Sequence, residues 1–218
     1  MPASAATLGR VALIVLLIAF EASVAVLALN PQVPERFRAF FIERTTDCWP
    51  IEVSGHYTLG EKVSFMPGAP GTRDLTVCGW SQPTVEGTWA QGPEARLRFA
   101  VDPPKVPLNL ELEILGFVTV KQLVQRIVVN VNGRALTTLV LQNGTPGRQI
   151  IRIPPAVAAL GNGKIEVTFL FPDAVTPQSQ GLGSDRRRLA ARLLSVRLAP
   201  APPLDLATLA LIPYKPAA

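Results

Sequence analysis

The amino-acid sequence predicts a mainly β protein, a single antiparallel β-sandwich carried by one N-terminal transmembrane helix. Residues 11–29 form an apolar run with one charge, and from residue 51 onward short apolar runs at period two alternate with Gly, Pro and Asn. No stretch of helical periodicity separates these runs. Antiparallel strands joined by short turns are therefore favoured over a parallel α/β sheet.

The composition is that of a chain that buries a core, with 48% hydrophobic and 17% charged residues in a length of 218. The formal net charge is +5, but the basic residues are scattered apart from residues 186–188, so no nucleic-acid partner is expected. The predicted organisation is an N-terminal cytoplasmic stub at 1–10, a transmembrane helix at 11–29, a juxtamembrane segment at 30–49, a β-sandwich at 50–199, and a Pro-rich linker with an apolar tail at 200–218.

Residues 11–29 are near the length that spans a bilayer core of about 30 Å. A cleaved signal peptide is the alternative, but its apolar region is usually about 7–15 residues long. Arg10 on one side and Arg36, Arg38 and Arg44 on the other do not settle the orientation. The cysteine pair and the lack of cytosolic nucleotide motifs favour a bacterial inner-membrane protein with a periplasmic C-terminal domain.

Glu21 lies near the middle of the predicted span, where an ionisable group is costly. It indicates contact with a polar partner in the membrane, or else a protonated side chain that faces lipid. Two further segments are candidate partner contacts, although each could instead pack on the sandwich itself. They are the aromatic residues Phe37, Phe40 and Phe41 after the span, and Leu204, Leu206, Leu209, Leu211 and Ile212 in the tail.

Eight runs are candidate strands, at residues 51–59, 95–101, 108–114, 126–132, 135–141, 148–153, 164–171 and 190–198. The alternation is clearest in 108–114, where the leucines and Ile114 share one face and Asn109, Glu111 and Glu113 share the other. Asn132-Gly133 between two runs predicts a two-residue hairpin, because both residues tolerate positive φ.

Cys48 and Cys78 belong to no CxxC or Cys/His cluster, so no metal site is expected. In an oxidising compartment a disulfide between them is the natural hypothesis. Two unrelated buried thiols are the alternative.

The most distinctive motif is GWSQPTVEGTW at residues 79–89, with VNVNG at 129–133 and SDRRRL at 184–189. Together they resemble the carbohydrate-binding-like, jelly-roll β-sandwich at the outer ends of many bacterial membrane glycosyltransferases and related envelope proteins, over roughly residues 76–199. Thr84 stands where that pattern has an acidic residue, with Glu86 two places later, and Ala190 replaces a glycine. The resemblance therefore implies the fold more than the function.

Trp80, Trp89, Asp185 and Arg187 are the candidate glycan-binding residues. An indole face stacks on the apolar face of a pyranose, and charged groups beside it hydrogen-bond the hydroxyls. The structural alternatives are tryptophans that belong to the core or the rim of the sandwich, and an Asp185–Arg187 ion pair that fixes the last strand.

No catalytic constellation is found in the sequence. His56 is the only histidine, and the sequence has no P-loop, no dinucleotide-binding glycine motif and no GxSxG. We therefore expect no enzyme activity and no cofactor. The leading hypothesis is a structural subunit that docks on other chains of a membrane complex, followed by a glycan-binding accessory module.

Overall fold

The computed structural model describes residues 5–29, 33–34, 37–42, 48–49, 55–142 and 144–202. The helices are α1 (Ala5–Leu29), a π-helical turn (Arg38–Ile42), α2 (Thr72–Leu75), α3 (Pro155–Ala159) and α4 (Pro177–Gln180). The strands are β1 (Lys62–Ser64), β2 (Thr76–Cys78), β3 (Thr88–Gln91), β4 (Glu94–Ala100), β5 (Leu108–Gly116), β6 (Gln125–Val131), β7 (Arg134–Leu141), β8 (Gly147–Ile153), β9 (Lys164–Leu170) and β10 (Leu189–Pro200).

The chain divides into two compact units, residues 1–45 and 46–218. In the first, α1 is 25 residues long, about 37 Å at 1.5 Å per residue, and it is long and apolar enough to span a membrane. The helix begins at Ala5, so the predicted stub at residues 1–10 is partly helical. Alanine and leucine in this stretch are strong helix formers, which explains the earlier start.

The second unit contains two five-stranded antiparallel sheets. In one, the strands follow the order β1-β10-β5-β8, and β3 also pairs with β10; in the other, the order is β2-β4-β9-β6-β7. The predicted mainly β fold with two antiparallel sheets is confirmed.

The core lies between the two sheets and is built by residues at period two. In β5 the leucines 108, 110 and 112 are fully buried, whereas Glu111 and Glu113 lie on the outer face and pair with Arg148 and Lys62. The facing sheet contributes Leu97, Phe99, Ile127, Val129, Ile165, Val167 and Phe169. The alternation predicted for 108–114 is thus the physical basis of the core.

The predicted hairpin joins β6 to β7, with Asn132 at φ 47° and Gly133 at φ 76°. The Asn132 side chain also connects this turn to the rest of the sandwich. Its Oδ1 accepts the Glu166 N–H at 2.8 Å, and its Nδ2–H donates to Val157 O at 3.0 Å. We call the end of the sandwich that holds this turn the hairpin end, and the opposite end, formed by loops 117–124 and 171–188, the loop end.

The candidate strand at 51–59 is wrong over its described residues, 55–59. This segment makes only an isolated bridge between His56 and Ala100, and Gly60 turns the chain at φ 97°. The buried ring of Tyr57 holds it in place, because its hydroxyl accepts the Leu198 N–H at 2.9 Å. Burial raises the pKa of this phenol.

Candidate functional site

The GWSQPTVEGTW motif forms a narrow loop whose two ends run antiparallel. The Ser81 N–H donates to Trp89 O and the Gln91 N–H donates to Gly79 O, both at 2.8 Å. Thr84 and Gly87 close the turn through reciprocal backbone hydrogen bonds of 2.9 Å, and the Thr84 hydroxyl donates to Gly87 O. The motif is therefore a self-contained hairpin that carries one tryptophan near each end.

The glycines of the motif are required by close backbone contacts. Gly79 has φ 78°, and a Cβ there would lie 2.2 Å from Glu94 O and 2.6 Å from the Ala95 Cα. Gly87 has φ 117°, and a Cβ there would lie 2.7 Å from Leu193 O. Only glycine fits either position without moving a neighbouring strand.

Trp80 serves mainly the core. Its half-buried ring lies against Phe65 and Phe169, with centroids 5.9 and 6.0 Å apart, and its Nε1–H donates to Arg96 O at 2.9 Å. Most contacts of Trp80 are thus those of a tryptophan that belongs to the core of the sandwich. Only part of the side chain remains accessible to a ligand.

Trp89 lies on the outer face of the sheet that contains β10. Its ring meets the edge of Phe117 at 5.8 Å between centroids, and the Arg192 guanidinium carbon lies 5.2 Å from the ring centroid. Glu86 forms an ion pair with Arg192. The half-buried indole is therefore held between a phenyl ring and a neutralised guanidinium, and its remaining surface is accessible.

Asp185 and Arg187 form the expected ion pair, with Arg187 Nη2 2.6 Å from Asp185 Oδ2. The Arg187 side chain, followed by its backbone N–H, holds the pKa of Asp185 below its ordinary value. Two backbone hydrogen bonds fix the loop, from Gln178 N–H to Asp185 O and from Gly92 N–H to Arg188 O, each 2.9 Å. The second brings the SDRRRL motif beside the end of β3.

The two motifs meet at a surface cleft of about 620 Å³. Of the candidate glycan-binding residues, Trp80, Trp89 and Arg187 line it, whereas Asp185 does not and is paired with Arg187. Sequence reasoning missed the remaining lining residues, which are Ser81, Gln82, Pro83, Thr84, Val85, Glu86 and Gln91. The sequence could have indicated Gln91, because alternate residues of a strand share a face and Gln91 lies two residues after Trp89 in β3.

A second cleft of about 670 Å³ adjoins the first and shares residues 80–83 with it. Its other wall is the segment 66–74, which includes Met66, Arg73 and Asp74. The shared residues place Trp80 at the boundary between the two clefts.

The other sequence-predicted residues lie away from this cleft or outside the described residues. Cys48 and Cys78 form a disulfide with a Cα–Cα distance of 5.5 Å, as the disulfide hypothesis expected. Glu21 is exposed on α1, and the Phe41 ring contacts Phe37 and Phe40 with centroids 4.7 and 4.8 Å apart. The tail residues Leu204, Leu206, Leu209, Leu211 and Ile212 lie outside the described residues.

His56 is exposed, and its residue pairs with Ala100 in the isolated bridge already described. Within the described ranges, no group of three or more His, Cys, Asp or Glu side chains is arranged to hold a metal ion.

No protein-family model matches the chain, and no curated protein matches it. Solved structures similar to it include the CBM36-1 domain of a multidomain xylanase from the hindgut metagenome of Trinervitermes trinervoides, at 10% identity and a TM-score of 0.35 over 68% of this chain and 90% of that one. The C-terminal CBM6 of LamC from Zobellia galactanivorans is also 10% identical, with a TM-score of 0.35 over 64% of this chain and 98% of that one. A family 35 carbohydrate binding module from an environmental isolate is 16% identical, with a TM-score of 0.34 over 69% and 93%. Likenesses at these identities and TM-scores carry no argument about function, and the two-sheet fold stands on the hydrogen bonding of this chain.

Proposed function

We propose that this protein is a non-catalytic, membrane-anchored glycan-binding module whose sandwich lies on the periplasmic side of a bacterial inner membrane. The proposal rests on one observation. The cleft of about 620 Å³ brings together Trp89, part of Trp80 and Arg187 with the side chains of Gln82 and Gln91. Its volume lies within the range of small-ligand sites, about 300–1,000 Å³.

The chemistry of the lining suits a sugar. The accessible surface of Trp89 offers an apolar platform for the C–H face of a pyranose, while the side chains of Gln82 and Gln91 supply donors and acceptors for hydroxyl groups. Arg187 is paired with Asp185, and Glu86 is paired with Arg192. Because both charges of the lining are neutralised locally, we expect a neutral glycan rather than a phosphorylated or sulfated one.

The test compares glycan binding by the full-length protein in nanodiscs with binding by the Trp89→Ala and Arg187→Gln variants, on a glycan array and then by calorimetry. Trp49 supplies the matched control, because it is the third tryptophan, is exposed and does not line the cleft. We expect Trp89→Ala to weaken binding by about 2 kcal/mol, roughly thirtyfold, as for a central aromatic contact.

We expect Trp49→Ala to bind like the parent. Arg187→Gln loses a donor and should weaken binding to a lesser extent. If no glycan on the array binds the parent, or if Trp89→Ala and Trp49→Ala bind equally well, the glycan assignment is refuted.

A second role, docking on partner chains within the membrane, is favoured by Glu21. This carboxyl group lies near the middle of α1 and is exposed on the helix, where an unpaired charge in lipid is costly. In the docking model a polar group of a partner helix meets it. We expect Glu21→Leu to lose chains that co-purify in mild detergent, whereas Glu21→Gln, which keeps a hydrogen-bonding group, retains some of them. Identical co-purification by the parent and both variants would exclude the contact.

A further inference from the structure

We propose that the loop end of the sandwich contacts the surface of the bilayer that holds α1, with the aliphatic side chains of Val120, Leu123 and Leu182 inserted among the lipid headgroups. The inference rests on α1 being a membrane anchor; the one residue it shares with the glycan cleft is Arg187, which pairs with Asp185 in the same loop.

The first observation is the exposure of three aliphatic side chains at the tips of two loops. Val120 is 90% exposed, Leu123 69% and Leu182 57%. Single exposed apolar residues are common, whereas these three lie on two loops that are joined by a side-chain hydrogen bond. They protrude from short turns rather than form a flat patch, and they include none of the aromatic residues that dominate protein interfaces.

The second observation is that the two loops form one ordered unit. Reciprocal backbone hydrogen bonds between Thr119 and Gln122, at 2.8 and 3.1 Å, close the first turn. The Thr119 hydroxyl donates to Gln180 Oε1 at 2.8 Å and joins this turn to the last residue of α4, two residues before Leu182. The tips are thus presented by a fixed scaffold, which limits the entropic cost of inserting them.

The third observation is the charge around the tips. Lys121 and Arg186 are exposed and have no carboxylate partner among the described residues. The acidic side chains at this end are neutralised, since Asp173 pairs with Arg126 at 2.6 Å and Asp185 pairs with Arg187. These two cations lie on the same loops as the aliphatic tips and complement anionic phospholipids, and each favours the bound state by about fivefold near such a surface.

The fourth observation is the attachment point of the connecting chain. Residues 30–47 link α1 to Cys48 in the sequence. The disulfide fixes Cys48 to Cys78, which pairs with Arg96, two residues from the start of β4. That start adjoins the loop end, because Glu94 pairs with Leu170 at the end of β9. Cys48 is therefore held near the loop end of the sandwich.

The experiment uses the full-length protein in nanodiscs, with and without anionic phosphatidylglycerol. Within the described part of the chain the native cysteines form the disulfide and none is free, so a single introduced cysteine can be labelled without reduction. An environment-sensitive fluorophore is placed at Leu123→Cys. Leu160→Cys is the matched control, because Leu160 is a leucine with 56% exposure that precedes β9 at the hairpin end.

We expect lipids brominated on their acyl chains to quench the label at 123 strongly in anionic discs and less in neutral ones, and to leave the label at 160 unaffected. Lys121→Glu combined with Arg186→Glu should lower the equilibrium constant for inserting the tips by more than tenfold, because each of the two cations contributes about fivefold. The quenching at 123 should fall accordingly. Equal quenching at 123 and 160 in anionic discs would overturn the proposal. So would a label at 123 that is shielded from aqueous iodide without being quenched by brominated lipid, because that result would show a protein covering the tips.

Discussion

Replacement of Gly79 by alanine tests whether the GWSQPTVEGTW loop depends on a close backbone contact. Two costs apply. An alanine at φ 78° adopts a left-handed conformation that costs about 1–2 kcal/mol. Its Cβ would also lie 2.2 Å from Glu94 O, a contact that only a shift of β4 can relieve, and overpacking of this kind costs about 1–3 kcal/mol. We therefore expect the free energy of unfolding to fall by about 2–5 kcal/mol.

Gly92 provides the matched control, because its φ of 83° is close to that of Gly79 and nothing lies within 4 Å of its ideal Cβ. Gly92→Ala should therefore lose only the conformational part, about 1–2 kcal/mol. The difference between the two variants isolates the contact between residue 79 and β4.

The assay is urea unfolding of the full-length protein in mild detergent, with the disulfide intact, followed by the fluorescence of the tryptophans near the loop. A larger loss for Gly79→Ala than for Gly92→Ala supports the packing argument. If the two variants unfold at the same urea concentration, then the close approach of residue 79 to Glu94 does not constrain the loop, and the structural explanation of this glycine is refuted.

Two further predictions concern the disulfide and an outer-face ion pair. Replacing both Cys48 and Cys78 by alanine should lower the free energy of unfolding by about 3–4 kcal/mol on the chain-entropy model for a separation of 30 residues, and a loss below about 1 kcal/mol would contradict it. The Lys62 side chain, followed by the Ser195 hydroxyl, holds the pKa of Glu113 below its ordinary 4.5. The ionised Glu113 therefore stabilises the fold above pH 4.5, and this stabilisation is lost as the pH falls through the lowered pKa. When the free energy of unfolding is measured against pH, Lys62→Met should lose less stability below about pH 4.5 than the parent does. Lys105→Met, which replaces an exposed lysine at the hairpin end, is the control and should behave like the parent. Identical profiles for all three proteins would exclude the linkage.

The long strands could be predicted from the sequence because each buries one face. In β5 the alternation alone gave the buried leucines and the outward-facing acids, and the observed strand adds only Leu115 and Gly116 to the predicted range. The strands β1, β2 and β3 have three or four residues each, too few for a period to be recognised. Their positions are set by pairing with β10 and β4, which are distant in sequence.

The candidate site was predictable to the extent that its residues lie in motifs. Trp80, Trp89, Asp185 and Arg187 were singled out because their residue types suit sugar binding, and three of these four candidates line the cleft, whereas Asp185 does not. What the sequence could not supply was their proximity. Residues 80–89 and 187 come together because β3 and β10 pair, with Gln91 opposite Leu189 and Trp89 opposite Arg192.

Thr84 and Glu86 both have structural roles in the loop that precedes β3. Thr84, which stands where an acid was expected, uses its hydroxyl to close the turn on Gly87 O at 2.7 Å. The carboxylate two residues later pairs with Arg192, whose guanidinium lies over Trp89. An acid at 86 thus fixes the cation that orients the indole, whereas an acid at 84 would replace the hydroxyl that closes the turn. The threonine at 84 and the carboxylate at 86 therefore both hold in place the loop and the cation that lies over Trp89.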